Sequence, residues 1–459
     1  MPNINPSDFR FLKFFPFAEI DNWSAYTLLG NNIGFNSDFP FVKIKQFLTR
    51  NKTQVEIQDN VLYKRPKIKL YNQGILLRDE VLGKEIGTKN QFRISSGQFL
   101  LSKIDARNGA FGVVDESLDF GVITGNFWTF DVDYSKIDPY YLNLVTSSKE
   151  FHNFCQSASV GTTGRNYLQE ESFLNISIPL PSKDEQKKLV DDFNLKIANS
   201  EKLIAQSVQS VNSIESFILN ELAVKVQKQL FKKGLQLIEN KDLTVWSVEK
   251  LFAESIFKSS KYPTFKLVEN QVLYNDAFRG KSPKYDDRST EVILNQKCNR
   301  WNEINLAYTK TVNEYWLKNI DKKFLTSEND IIINSTGEGT IGRSSLITKD
   351  FEGYLYDSHI LLLRLNQNLF NPLFFVYQFN STFVQEQINQ IKSAQSTKQT
   401  ELGIDNLLNI NFVVPPIEIQ NEICLKINII TEQIEQQNSV SDTLKEKAKL
   451  EFEQLLFKR

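Results

Sequence analysis

Leu174–Gln186 reads L-N-I-S-I-P-L-P-S-K-D-E-Q, and Leu408–Gln420 reads L-N-I-N-F-V-V-P-P-I-E-I-Q. Leu174 and Leu408, Pro181 and Pro415, and Gln186 and Gln420 are each 234 positions apart. In both places an apolar run meets proline and a long helical pattern begins at once. A constant offset across such a junction is the mark of an internal duplication. The chain is therefore read as two compact domains, each feeding one long helix.

The pattern that follows the first junction constrains the fold further. Ser182-Lys183-Asp184-Glu185 is a capping box, in which the Ser oxygen and the Glu carboxylate satisfy two orphan backbone donors. Apolar residues then recur at sevens as Val190, Ile197, Ile204, Val211 and Ile218, widened by Phe193, Val208, Ile214 and Leu222. A sustained seven-residue repeat calls for a partner helix wound against it. Lys232-Lys233-Gly234 supplies a stop, with cations near the negative helix end and Gly beyond. The predicted helix has about 50 residues and spans roughly 75 Å. After Pro415-Pro416 the second helix carries seams at Ile423, Ile430, Gln437, Leu444 and at Ile427, Ile434, Ser441, Ala448, Leu455. Gln437 and Ser441 either face solvent or set the register of a buried seam.

Each domain reads as mixed α+β with mainly antiparallel strands. Asp138-Pro139 and Asn371-Pro372 both open helices, since Asp and Asn cap and Pro fits the first helical position. Strands are expected at Phe127–Val132, Asp330–Asn334 and Leu361–Leu365. Val245–Leu251 is read as the counterpart of Phe41–Phe47. The expected boundaries are 1–182 for the first domain, 183–238 for its helix, 239–416 for the second domain and 417–459 for its helix. Residues 1–40 form an aromatic-rich arm without a counterpart.

Composition excludes several classes of function. The 459 residues suit two or three domains, and a net charge of −1 provides no global basic field. Nucleic acid would have to be bound through local patches. Cys155, Cys298 and Cys424 form no paired motif, and His152 and His359 stand apart, so no metal or disulfide site is expected. No apolar run is long enough to span a membrane, and no leader pattern is present, so a cytoplasmic location is expected.

Two motifs invite a catalytic reading. Gly337-Glu338-Gly339-Thr340-Ile341-Gly342 matches G-x-G-x-x-G, but Arg343–Lys349 after it is short and β-prone. A β-hairpin accounts for it better than a cofactor loop. Asp138-Pro139-Tyr140-Tyr141 resembles the D-P-P-Y tetrapeptide of amino-methyltransferases without its second proline; a helix cap is the simpler reading.

Local basic clusters remain. Lys64–Arg107 holds ten basic residues against four acidic, and Arg279–Arg300 holds six against three, followed by Trp301. Ser159–Asn166 is a Gly/Thr-rich loop, and its repeat counterpart is Ser393–Gln399. Phosphate and base contacts are assigned to Lys103, Arg107, Asn108, Arg165, Asn166, Arg279, Lys281, Arg343 and Lys398.

The duplicated order of these features resembles the specificity subunit of type I restriction-modification enzymes. The resemblance is carried by Ile178–Gln186 and Val413–Gln420 before their long helices, Trp246–Leu251, Gly97–Ser102 with Asn329–Asn334, and Asp138–Leu142. It implies two target-recognition domains, each reading one half of a bipartite, asymmetric DNA site. It implies an antiparallel helix pair acting as spacer, with Val190, Ile197, Ile204, Val211, Ile218, Ile423, Ile430, Ile434 and Leu444 in the pairing surface. It further implies two methyltransferase (M) subunits and restriction–translocation (R) subunits as partners. S-adenosylmethionine would then be bound by the methyltransferase, and this chain would be non-catalytic. Two alternatives stand beside this reading: a stand-alone adenine DNA methyltransferase, and a coiled-coil scaffold that recognises no DNA.

Overall fold

A computed structural model describes residues 33–160, 167–227, 256–337, 339–393 and 401–457. The chain divides into two compact units, Met1–Leu203 with Ser439–Arg459, and Ile204–Asn438. Each unit holds one domain, the first part of the helix that follows it and the last part of the other long helix.

In the first unit a four-stranded antiparallel sheet runs in the order Leu48–Asn51, Phe127–Val132, Phe99–Ser102, Phe111–Val113. Phe99–Ser102 is buried along its whole length because the sheet is covered on both faces. Phe99 and Leu101 enter one hydrophobic cluster and Leu100 another, as the two-residue period of a strand requires. The larger cluster stacks Phe111, Phe130, Phe151 and Phe173, with ring centroids 5.5–6.4 Å apart.

The second unit repeats this sheet as Tyr274–Arg279, Ile360–Leu365, Ile331–Asn334, Ser344–Leu346. Ile331 and Ile333 face one cluster and Ile332 the other. What differs between the units is the chain inserted between the first two of these strands in sequence. The first unit places a hairpin there, Leu62–Ile68 with Ile75–Leu82. The second places Val292–Leu294, which pairs antiparallel with Lys310–Thr311 and parallel with Leu355–Tyr356.

Helices α1 (Pro139–Thr146) and α2 (Lys149–Ser157) follow the sheet in the first unit. Asp138 caps α1 by accepting from the Tyr140 amide at 2.8 Å. The first long helix, α3, covers Lys183–Glu221, and its capping box forms as expected. In the second unit α4 (Pro372–Phe379) is capped by Asn371, and α5 (Thr382–Ser393) and the long α6 (Ile417–Phe457) follow.

Two expectations need correction. The first long helix has 39 residues, not about 50, and does not reach residue 238. Ala223 adopts φ +47°, a left-handed stop, and Val224–Gln227 becomes a strand paired with Ile256–Ser259. The apolar stripe continues across this change because strand and helix both need apolar residues there. Lys232–Gly234 lies outside the described residues. Val245–Leu251 lies outside them too, and the role expected of it falls to another segment. Phe41–Lys43 pairs with Ser177–Pro179, and in the second unit Thr264–Lys266 pairs with Asn411–Val413 in the same register.

The long helices run antiparallel. Within the first unit Ser200 Oγ and Ser441 Oγ lie 2.7 Å apart, and Lys196 pairs with Glu451 at 2.6 Å. Within the second unit Lys426 lies 3.9 Å from Glu221. On α6 the inward stripe is Ile423, Ile427, Ile430, Ile434, Gln437, Ser441, Leu444, Ala448, Phe452 and Leu456, all buried or half-buried. Gln437 and Ser441 therefore face inward, and Leu455, expected in the seam, is displaced outward by Phe452 and Leu456.

On α3, Val190 and Ile218 are buried and Ile197 and Ile204 half-buried, but Val211 is 53% exposed. Ser207 is buried and Ile214 half-buried on either side of it, so Val211 is an exposed gap in an otherwise inward stripe. Val208, expected to widen the stripe, is exposed as well. Ile218 returns to burial because the second domain's own core, with Leu222 and Phe257, covers it. Phe452 and Leu456 play the same part in the first domain's core. No described helix is long and apolar enough to cross a membrane.

Candidate nucleic-acid interface

The ends of the central strands present the same backbone pattern in both units. In the first, Lys103 follows its strand directly. Its amide donates to the Asn126 carbonyl at 3.0 Å, and its own carbonyl accepts from the Leu168 amide at 2.8 Å. In the second, Ser335 stands in this position. It donates to the His359 carbonyl and accepts from the Leu402 amide, both at 2.8 Å. Leu168 and Leu402 are 234 positions apart, so the duplicate offset reaches the loops. Lys103, Asn126 and Tyr167-Leu168 thus converge at one end of the first sheet, as Ser335, His359 and Glu401-Leu402 do in the second.

The side chains around these knots are polar, cationic or aromatic. Lys103 Nζ lies 5.2 Å from the Tyr167 ring centroid. Arg107 and Asn108 sit in the 3-10 turn Ala106–Asn108, which ends at Gly109 with φ +69°. The Asn108 carbonyl accepts from the Tyr71 amide at 2.7 Å, which ties this turn to the hairpin tip. In the second unit Thr336 Oγ1 meets His359 Nδ1 at 2.7 Å and Gln296 Oε1 at 3.3 Å. Arg279 donates to the Ser358 carbonyl at 3.0 Å and is ion-paired with Glu401. Burial pushes the Asp357 carboxyl up, against the hydrogen bond it accepts from the His359 amide at 2.9 Å.

The other expected contacts divide. The Arg343 guanidinium donates to the Gly339 carbonyl at 2.8 Å and lies 5.9 Å from the Trp301 ring. Lys281 instead covers the Phe324 ring at 3.9 Å, a packing role for its cation. Arg165, Asn166 and Lys398 lie outside the described residues. Three of the ten basic residues in Lys64–Arg107 are ion-paired. Arg65 grips Asp79 through two hydrogen bonds of 2.7 and 2.8 Å, Arg78 shares that carboxylate, and Lys89 meets Asp59 at 2.5 Å. Lys67 and Lys69 stay exposed.

Thr336, His359, Gln296 and Tyr167 escaped the sequence reading. Aligning Leu168 with Leu402 by the duplicate offset finds Tyr167 and its counterpart Glu401 at once; Thr336, His359 and Gln296 depend on tertiary pairing.

Both motifs with a catalytic reading have structural employment. Gly337-Glu338-Gly339-Thr340-Ile341-Gly342 joins Ile331–Asn334 to Ser344–Leu346, an antiparallel hairpin. Gly337 (φ +96°) receives the Thr340 and Ile341 amides on its carbonyl, and Gly342 (φ +82°) donates to Asn334. A strand rather than a helix follows, so the chain does not run from this loop into a helix N-terminus that would hold a phosphate, as the motif's nucleotide-binding form requires. The Asp138 carboxylate caps α1, and the buried Tyr141 hydroxyl donates to the Pro179 carbonyl at 2.8 Å.

The family described as "Type I restriction modification DNA specificity domain" matches residues 36–210 and again residues 212–446. The specificity subunit of the type I restriction enzyme MjaVIII from Methanocaldococcus jannaschii is 23% identical over 399 residues, 83% of each chain. The specificity subunit of the type I restriction enzyme HindI from Haemophilus influenzae is 23% identical over 188 residues, 38% of this chain and 40% of that one. A chain from a structure described as the basis of complex assembly and conformational transition in a type I R-M system shares the fold. Its TM-score is 0.57 at 14% identity, covering 92% of this chain and 98% of that one. With two family matches that together take in most of its length, this chain belongs to the type I restriction-modification DNA specificity family.

Proposed function

We propose that the chain is the non-catalytic DNA-recognition subunit of a type I restriction-modification complex. Each domain reads one half of a bipartite, asymmetric duplex site through the loops at its strand ends. The observation that supports this is the repeated strand-end knot, Lys103 with Asn126 and Leu168, and Ser335 with His359 and Leu402. A fixed backbone knot under variable side chains suits two domains that read different bases in one manner. Cations there contact phosphate, while Asn, Gln and Arg side chains read base edges.

The antiparallel pair of α3 and α6 serves as the spacer between half-sites and as the docking surface for two methyltransferase subunits. The complex recruits restriction–translocation subunits, S-adenosylmethionine is bound by the methyltransferase, and the assembly works in the cytoplasm. The test is selection from a random duplex library by the purified chain with its methyltransferase. The expected result is two short half-sites separated by an unspecified gap of fixed length. A pool without enrichment contradicts DNA recognition and leaves the scaffold reading. Labelled S-adenosylmethionine bound by the chain alone contradicts the non-catalytic assignment.

A further inference from the structure

The inserted segments of the two units differ in their strands, yet they share one corner. In the first unit Tyr71 and Asn72 form the tip of the Leu62–Leu82 hairpin, both left-handed at φ +58° and +53°. The Asn72 amide donates to the Gly109 carbonyl at 2.8 Å, and its side-chain amide reaches Thr146 Oγ1 at 3.2 Å, at the end of α1. In the second unit Trp301 precedes Asn302, which is left-handed at φ +60°. The Asn302 amide donates to the Ser344 carbonyl at 3.2 Å, and its side chain accepts from Asn380 at 2.7 Å, at the end of α4. Thr146 is the last residue of α1 and Asn380 caps the C-terminus of α4, so the two anchors lie one position apart at equivalent helix ends.

The asparagines explain themselves structurally. Asn adopts the left-handed conformation more readily than most residues, and each ties its insertion to a helix end. The aromatics are not explained in that way. Tyr71 is 68% exposed and Trp301 47% exposed. Among the described residues neither belongs to a hydrophobic cluster. Holding Tyr71 at positive φ is strained, of order 1–2 kcal/mol, for a ring that packs into no core. Cations accompany both aromatics. Arg343 lies 5.9 Å from the Trp301 ring, and exposed Lys67 and Lys69 precede Tyr71 on the same hairpin.

We propose that Tyr71 and Trp301 are aromatic contacts to DNA, each placed by its Asn corner against the half-site of its own domain. The flat ring packs on sugar and base edge while the neighbouring cation meets phosphate. The proposal rests on the DNA-recognition reading and adds two positions to it. The cations at both places, Arg343 by Trp301 and Lys67 and Lys69 by Tyr71, suit a polyanion with stacked, planar groups.

The test uses a labelled duplex carrying the motif selected by the wild-type chain with its methyltransferase. Tyr71→Ala and Trp301→Ala should each weaken binding about tenfold, the low end of the range for loss of an aromatic–base contact. Tyr71→Phe and Trp301→Phe should stay within about twofold, while Tyr71→Leu, which keeps bulk without a ring face, should behave as Ala. Ala variants that bind as wild type overturn the proposal, as do variants that lose methyltransferase assembly in the absence of DNA. Melting temperatures of the Ala variants should match wild type; a large drop assigns the rings to the fold and also overturns it. A wild-type complex that selects no duplex sinks the DNA reading itself.

Discussion

The Gln186 side chain accepts a hydrogen bond from the Asp138 amide at 2.7 Å and donates to the carbonyls of Lys136 and Pro181 at 3.0 and 2.9 Å. Gln420 repeats all three bonds in the second unit, with the Asn371 amide at 2.8 Å and the carbonyls of Leu369 and Pro415 at 2.9 and 2.7 Å. Both glutamines are fully buried. One amide thus locks the proline corner, the start of the long helix and the start of α1 or α4 into a single joint. In this account the joint fixes where each reading domain sits on its helix.

Replacing Gln186 or Gln420 with Leu leaves one backbone N–H and two carbonyls buried without a partner. Each substitution should cost roughly 2–4 kcal/mol, measured by denaturant unfolding. Gln186→Glu should be no better, because a carboxylate cannot donate to the Lys136 and Pro181 carbonyls.

The corrected seams predict unequal costs for two residues that both sit on a repeat of seven, Val211 on α3 and Ile427 on α6. Val211→Ser should change stability by less than about 0.5 kcal/mol, as at other exposed sites. Ile427→Ala, at a fully buried position, should cost about 2–5 kcal/mol. Equal costs would restore the strict repeat of seven.

Ser200 and Ser441 are both fully buried, and their hydroxyls pair across the helices. A Leu at 441 overpacks this close approach and should cost about 1–3 kcal/mol. Ser200→Ala and Ser441→Ala should show a coupling of about 0.5 kcal/mol in a double-mutant cycle, less than a full hydrogen bond because Ser441 Oγ also donates to the Ser200 carbonyl at 3.2 Å, which survives Ser200→Ala.

His152 gives the first unit a pH dependence. Its Nε2 meets Asn72 Oδ1 at 3.0 Å, and burial holds its pKa below the ordinary histidine value, against a Thr146 backbone hydrogen bond. The unfolded chain then binds the proton more readily than the folded one. Stability is fully present above about pH 6.5 and declines as pH falls from there through the lower folded value. Melting curves between pH 8 and 5 should show this decline, and His152→Gln should flatten it.

The duplication, the capping box and both D-P and N-P helix starts were legible in sequence because each is a local pattern with one backbone solution. The end of α3 was not, since Val224–Gln227 keeps the apolar character of the helix while changing its period. Val211 was misplaced because its exposure interrupts a repeat of seven that resumes at Ile218, and no residue type marks the gap. The burial of Ser441, left open by the sequence, required knowing that Ser200 faces it. Within the candidate interface, cations could be found by composition. Whether Lys281 faces solvent or covers Phe324, and whether Arg65 is free or held by Asp79, depended on tertiary neighbours.

The most direct measurement is single-molecule sequencing of methylated bases in a host carrying the complete system, with wild-type chain and with Thr336→Ala or Lys103→Ala. The account predicts a wild-type motif of two half-sites at fixed spacing. Each substitution should relax one half-site, a different one in each case, and leave the other half and the gap unchanged. A contiguous motif, or a substitution that alters both halves together, would contradict it.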